Sequence, residues 1–316
     1  MRRLTRRQFV LGAATAGAAL AAAGVGTRSE ADEGEETEEH ESTRLRRWAM
    51  VIDLRQCDGC VDQGVPPQCT QYCIWGHSVP EDQQWVEVFA FEELKDVPTS
   101  ELHFMPILCQ QCQNPPCTNV CPVGATFSTP EGVVLIDQER CIGCRMCMAA
   151  CPYDRRFFNW KEPAQLPEIK DSPYNIFHQT PAIKGTVMKC NWCPERTMAG
   201  GLPFCVEGCP HGAMYFGDLE EDIATNGEEI VQLSRFLQDN AAFRYKEDLG
   251  TQPRVWYIPG HTTGGELMEE AEERGLPEEG GVAFRKDDLE WPWRQIAAEI
   301  EKLQASRSRA AEVKHG

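Results

Sequence analysis

Apolar residues in this chain come in short runs. Ala49-Met50-Val51-Ile52 and Val133-Val134-Leu135-Ile136 are both closed by an aspartate, Asp53 and Asp137, and both are followed at the same offset by a cysteine, Cys57 and Cys141. Short β-rich runs bounded by polar residues predict strands, and the repeated spacing predicts two related units. Gly217 to Asp239 reads as a turn followed by a helix, and Arg254-Val255-Trp256-Tyr257-Ile258 as a strand ended by Pro259. After Pro292, Ile296, Ile300 and Leu303 recur at i, i+4 and i+7, the period of an amphipathic helix. With Trp291 and Trp293 beside it, that helix is expected to pack on its own domain; the alternative is docking on a partner protein. Residues 161–189, rich in Pro and polar groups, read as an insertion. Beyond a soft Ala- and Gly-rich stretch from Leu11 to about Val25, no segment offers the roughly twenty apolar residues of a membrane helix. The mature chain is therefore expected to be soluble or peripheral.

The polar gaps between these runs hold the chemistry. All sixteen cysteines fall into four tetrads. The third, Cys141, Cys144, Cys147 and Cys151, reads C-x2-C-x2-C-x3-C-P, the run by which bacterial ferredoxins hold three corners of one [4Fe-4S] cube and lend the last thiolate to a second. Cys109, Cys112, Cys117 and Cys121 keep the close first pair and the distal C-x3-C-P but lengthen the middle gap. Cys190, Cys193, Cys205 and Cys209 stretch that gap to eleven residues, and Cys57, Cys60, Cys69 and Cys73 to eight. A C-x2-C pair can place two thiolates on neighbouring irons, whereas the third ligand can return from a loop of any length, so a variable gap is tolerable. Structural zinc also uses C-x2-C pairs, and an even cysteine count in an exported chain can mean disulfides. Against zinc stand the three terminal Cys-Pro steps at Cys121, Cys151 and Cys209; against a disulfide scaffold stands a length of 316 residues, enough to bury a core.

Charge and the N-terminus narrow the setting. Thr5-Arg6-Arg7-Gln8-Phe9-Val10 is a twin-arginine pattern ahead of the apolar stretch, so residues 1–31 read as a Tat signal resting on Arg6 and Arg7, with cleavage expected near Ala31. Tat exports folded proteins, which suits clusters assembled before export to the periplasm or the outer face of the cytoplasmic membrane. Residues 30–41 carry eight carboxylates and belong to a charged linker over 32–47. Removing residues 1–31, with five arginines and one glutamate, leaves 26 basic against 48 acidic residues, a net charge of −22. That balance argues against nucleic acid or an anionic membrane surface as direct partners, so membrane contact is expected through a partner. No Walker loop, dinucleotide fingerprint, H-E-x-x-H or nucleophile elbow competes.

Four cysteine groups in this order, the I-D-x-x-x-C lead-ins, N-P-P-C at 114–117, C-P-Y-D at 151–154 and the Tat pattern resemble the iron-sulfur (beta) subunits of the DMSO reductase superfamily. Within it they resemble the exported electron-transfer subunits of tetrathionate, polysulfide and formate-dependent nitrite reductase systems. The likeness covers roughly residues 46–260. It implies an α+β, loop-rich fold of two bacterial-ferredoxin-like units in tandem, with a small C-terminal extension. Residues 48–108 with 190–220 would form the first unit, 109–160 the second, 161–189 the insertion and 221–316 the extension. The resemblance also implies four [4Fe-4S] clusters built crosswise. Cluster A would take Cys57, Cys60, Cys69 and Cys209; cluster B, Cys190, Cys193, Cys205 and Cys73; cluster C, Cys109, Cys112, Cys117 and Cys151; cluster D, Cys141, Cys144, Cys147 and Cys121. Every position is Cys, so no three-iron cluster is expected. The chain departs from the family pattern where Gly64-Val65-Pro66-Pro67-Gln68 enlarges the first gap and where Ile74 stands in place of Pro.

The implied role is a non-catalytic wire. The first-and-fourth-group half would face a molybdopterin catalytic subunit, and the other half a polysulfide-reductase-type integral membrane subunit that reacts with quinone. The alternative keeps the wire within a quinone-linked cytochrome or sulfite-reduction-associated assembly without molybdopterin, and a structural zinc protein is the outsider. Arg140 and Lys189, each just before a cysteine pair, are candidates for raising a local potential, and His211 for a hydrogen bond near a cube.

Overall fold

The computed structural model describes residues 46–260, apart from 61–62, 64, 81–82 and 93–101. In chain order its elements begin with β1 (Trp48–Asp53), α1 (Gln68–His77), β2 (Glu87–Glu92), β3 (Leu102–Ile107), α2 (Pro116–Asn119), β4 (Thr126–Ser128), β5 (Val134–Ile136) and α3 (Met146–Ala149). They continue with β6 (Phe157–Phe158), α4 (Pro167–Lys170), β7 (Val187–Met188), α5 (Pro194–Thr197), α6 (Phe204–Glu207), β8 (Met214–Asp218), β9 (Ile223–Thr225), β10 (Ile230–Gln232), α7 (Leu233–Asp239) and β11 (Val255–Ile258). The mixture of α and β is the one expected.

The first apolar lead-in is β1, inside a five-stranded sheet ordered β10-β9-β8-β1-β11. It pairs antiparallel with β8, Ile52 opposite Met214, and parallel with β11, Met50 opposite Val255. A strand paired on both edges and covered on both faces needs a continuous apolar run, which is what Ala49-Met50-Val51-Ile52 supplies. Successive side chains then divide between two cores. Met50 and Ile52 join Met214, Phe216, Val255 and Tyr257 around Cys69, Cys73, Cys190 and Cys205. Ala49 and Val51 face the other way, onto Tyr215, Ala224, Leu233 and Ile258 beside α7.

The second lead-in is β5, paired with β4 so that Thr126 lies opposite Ile136. The two lead-ins are tied down identically. The Asp53 N–H donates to the carbonyl of Ala213 and the Asp137 N–H to that of Ala125, both at 2.8 Å. Ala125 and Ala213 close the strings Cys121-Pro-Val-Gly-Ala and Cys209-Pro-His-Gly-Ala, so the lead-in of group 1 is tied to the distal string of group 4 and that of group 3 to the distal string of group 2. The helices carrying the third cysteine of each group pack in pairs, α1 on α6 and α2 on α3. Glycine permits the first pairing: a Cβ on Gly76 would lie 2.3 Å from the Phe204 ring, and one on Gly208 2.4 Å from Tyr72.

Three expectations differ from what folds. Gly217–Asp239 is not a turn leading straight into a helix: Gly217 and Asp218 end β8, and the β9–β10 hairpin intervenes before α7. A Cβ on Gly217 would meet the Ile223 carbonyl at 2.2 Å, so this glycine serves close strand approach rather than a turn. Residues 161–189, expected as an insertion, are anchored in the second unit. Val187 and Met188 pair with Phe158 and Phe157, and the Gln138 amide donates to the Gln179 carbonyl while accepting from Ile183 N–H and the Thr186 hydroxyl. Residues 223–258, expected within an extension, supply β9, β10 and β11 to the sheet that holds β1, with α7 packed against β9 and β10. The Tat segment, the acidic linker and the helix after Pro292 lie outside the described residues. Among the described residues no helix is long and apolar enough to cross a membrane.

Candidate metal centres

Each C-x2-C pair closes through left-handed backbone. The residues involved are Gly59 and Cys60 in the first pair, Gln111 in the second, Gly143 in the third, and Trp192 with Cys193 in the fourth. A bulky residue such as Trp192 takes that conformation at a cost of about 1–2 kcal/mol, a strain that persists where surrounding structure demands it. Three of the four distal cysteines share a second device. Three residues after Cys121, Cys151 and Cys209 stand Gly124, Asp154 and Gly212, with φ of 62°, 50° and 61°. At Cys121 the backbone N–H groups of Val123, Gly124, Ala125 and Thr126 all reach the sulfur; burial acts to raise its pKa, but these donors hold it below the usual thiol value. Cys73 lacks this turn because Ile74, unlike proline, continues α1 through to His77.

The thiols gather into four sets. Cys57, Cys60, Cys69 and Cys209 line one small cavity, set A. Cys73, Cys190, Cys193 and Cys205 form set B, all buried and each with a thiol neighbour that pushes its pKa further up than burial alone. Around Cys112 lie Cys109, Cys117 and Cys151, set C. Cys121, Cys141, Cys144 and Cys147 line a second small cavity, set D. The four sets form a series: Cys69 neighbours Cys73 and Cys205, Cys190 neighbours Cys109, and Cys147 neighbours Cys117.

The donor chemistry fits iron-sulfur cubes. All sixteen thiols are free. Burial, opposed in part by the Gly59 N–H, pushes Cys57 to about 12, and burial brings Cys112 and Cys190 to about 12 as well. Such thiols stay protonated unless a cation compensates them, and coordinated metal deprotonates a thiol outright. Cages of four thiols with backbone N–H groups on sulfur are the environment that holds a cube and sets its potential.

Charged neighbours differ from set to set. His77 Nε2 lies 3.1 Å from Cys193 Sγ and 3.8 Å from Glu195. Burial lowers the His77 pKa to about 3 and raises that of Glu195 to about 7, so near neutral pH His77 is neutral and the Glu195 carboxyl is part-protonated. Lys189 is fully buried, its ammonium donating to the carbonyls of Val134 and Cys190, while the Gln111 amide bridges the Val134 N–H and the Cys190 carbonyl. It therefore sits where sets B and C meet. Arg140 is 68% exposed and paired with Asp137 at 3.2 Å, a surface position. His211 beside set A pairs with Asp58 at 2.9 Å. Arg156 Nη2 donates to Cys117 Sγ at 2.9 Å.

Comparison with known proteins agrees with this chemistry. A family profile described as a 4Fe-4S dicluster domain matches residues 100–167 and 161–219. A tetrathionate reductase subunit of Salmonella typhimurium is 35% identical over 263 residues, 80% of this chain and 88% of that one. A selenate reductase subunit of Mesobacillus selenatarsenatis is 37% identical over 223 residues, 67% and 72%. The chain belongs to the iron-sulfur electron-transfer subunits of the DMSO reductase superfamily. This iron-sulfur subunit is also similar to Hdr-like menaquinol oxidoreductase iron-sulfur subunit 1 of Archaeoglobus fulgidus, 34% identical over 279 residues, 80% of this chain and 97% of that one. Its four cysteine groups were legible from spacing, and their crosswise sets were implied by the resemblance alone, whereas His77, Gln111 and Arg156 carried no signal. Each sits far in sequence from the sulfur or carbonyl it touches.

Proposed function

We propose that this subunit carries four [4Fe-4S] clusters, one in each thiol set, between an integral membrane quinone-reactive subunit and a molybdopterin catalytic subunit of an exported respiratory oxidoreductase. Cluster A takes Cys57, Cys60, Cys69 and Cys209; cluster B, Cys73, Cys190, Cys193 and Cys205; cluster C, Cys109, Cys112, Cys117 and Cys151; cluster D, Cys121, Cys141, Cys144 and Cys147. The observation that carries the reading is the series of sets, each joined to the next through neighbouring thiols. A bound cube takes up and releases one electron. The chain holds the cages rigid, excludes water from the inner ones and aims N–H groups at sulfur, so little rearranges when charge moves.

Exposure supports a polarity for the wire. Cys144 is the one exposed thiol, and Ile142, Met146 and Trp160, exposed by 64%, 52% and 64%, stand on the same cysteine loop or beside it. An apolar patch around an exposed ligand suits a protein partner, and we assign it to the quinone-reactive subunit, with set A toward the catalytic one. We also place cysteine groups 1 and 4 in one ferredoxin-like unit and groups 2 and 3 in another, in a loop-rich fold, and residues 1–31 as the Tat signal that takes the folded chain to the outer face of the membrane.

A second reading has its own support in the similarity to the menaquinol oxidoreductase subunit: the same wire in a quinone-linked assembly without molybdopterin. Metal analysis of the complex purified anaerobically from native membranes separates them. About sixteen irons per chain, four cubes, with molybdenum or tungsten supports the first reading. Iron with haem and no pterin metal supports the second, and zinc without iron ends both. Lysine at Arg6 and Arg7 should leave the chain in the cytoplasm; export of that variant would refute the Tat assignment.

A further inference from the structure

Two consecutive arginines follow the third cysteine group, and they have opposite fates. Arg155 is paired with a carboxylate, its Nη1 lying 2.6 Å from Glu87 Oε2. Arg156 is 2% exposed, yet among the described residues it has no carboxylate partner. Its Nη2 donates to Cys117 Sγ of set C at 2.9 Å, and its Nη1 to the Thr126 hydroxyl at 3.1 Å. Thr126 is one of the residues whose backbone N–H reaches Cys121 of set D. Cys147, also of set D, borders Arg156: burial raises the Cys147 pKa, and the charge and hydrogen bond of Arg156 oppose it.

A guanidinium stays protonated at any working pH, and an unpaired buried charge is strongly disfavoured. Among the described residues, the groups that can offer Arg156 a negative charge are cysteine thiolates, and they come from two different sets. Resting on the four-cluster reading, we propose that Arg156 is the shared counter-ion of clusters C and D and positions both potentials above what their cages alone would give. A cube held by four thiolates carries net negative charge that grows by one on reduction, so a cation between two cubes favours the reduced form of each. Buried charges escape salt screening, so this effect persists at high ionic strength. The sequence string Asp154-Arg155-Arg156-Phe157 gives no hint of which arginine plays this part; only the placement of Glu87 and Cys117 separates them.

The test is a redox titration followed by electron paramagnetic resonance on the assembled chain, comparing wild type with Arg156→Gln and Arg156→Lys. Glutamine should move two of the four midpoints to more negative values, each by at least a tenfold change in the oxidised-to-reduced ratio, about 59 mV for one electron. The other two should not move. Lysine, which keeps the charge but loses the fork, should return both midpoints toward wild type. A shift of one midpoint or none, with iron retained, overturns the shared role. If glutamine causes loss of iron, lysine decides: clusters restored by lysine support the counter-ion, whereas loss in both variants assigns Arg156 to structure alone and overturns it. Wild-type chain without about sixteen irons defeats the underlying cluster reading instead, whatever Arg156 does.

Discussion

Sets B and D are built from the same cysteine spacing logic and end in opposite surroundings. All four thiols of set B are buried, packed against Ile74, Trp192, Met214 and Phe216 in the main core. Set D has one buried thiol, Cys147, and one exposed, Cys144, and its core is the small cluster around Val134, Ile136 and Val187. Set B is shielded by apolar side chains and held off water; set D leans on backbone N–H groups around Cys121 and on the nearby cation of Arg156. Two routes therefore stabilise one kind of cage, and they carry different liabilities. The buried route ties the metal site to folding, while the exposed route leaves a cube open to solvent and to a partner.

Replacing a cysteine in each set tests the contrast most severely. Cys205→Ser should cost more than one cube's iron and prevent stable folding, because an unfilled cage lies in the main core. Cys144→Ser should cost at most roughly four irons and leave thermal unfolding of the rest close to wild type; equal damage from both would erase the distinction. The tryptophans come next. Trp192, 1% exposed, is expected to lose about 3–5 kcal/mol on truncation to alanine. Trp160, 64% exposed, should lose less than about 0.5 kcal/mol yet weaken co-purification with the membrane subunit. Denaturant unfolding and pull-down read the two effects separately.

Kinetics sharpen the comparison further. Anaerobic chelation should release iron in two phases, with the fast phase absent from Cys144→Ser; a single phase would place all four cubes behind the same barrier. The smallest effect concerns Glu195 beside set B. Its folded-state pKa is raised from 4.5 to about 7 by burial, so the folded chain holds a proton that the unfolded chain releases. Stability should fall as pH rises through that window, by less than about 1.4 kcal/mol per unit. Glu195→Gln should flatten the slope, as followed by chemical unfolding at pH 5 and 7.

Three cysteines of each cage were readable because they lie close together in sequence, whereas the distant fourth was implied only by the family resemblance; the lead-in strands were readable because burial on both faces forces an unbroken apolar run. The β9–β10 hairpin was not readable: Ile223-Ala224-Thr225 and Ile230-Val231-Gln232 are strands of three residues whose register depends on β8. Nor was the anchoring of residues 161–189, since Gln138 and Gln179 look like surface residues and act as buried hydrogen-bond hubs. Arg140 was singled out by adjacency in sequence and proved to be on the surface, whereas Arg156 donates to a sulfur thirty-nine residues away.

The parallel pairing of Met50 with Val255 also fixes a schedule. At roughly 5–20 residues per second, ribosomes deliver the closing strand on the order of ten to forty seconds after the strand it completes. The Thr251 hydroxyl on Tyr153 and the Gln252 carbonyl accepting from the Gln113 N–H arrive in that same last stretch and latch it to the second unit. A nascent chain thus stays open along this edge until nearly all of its described residues have been made. A chain that stops short of residue 251 lacks the closing strand and both contacts with Tyr153 and Gln113.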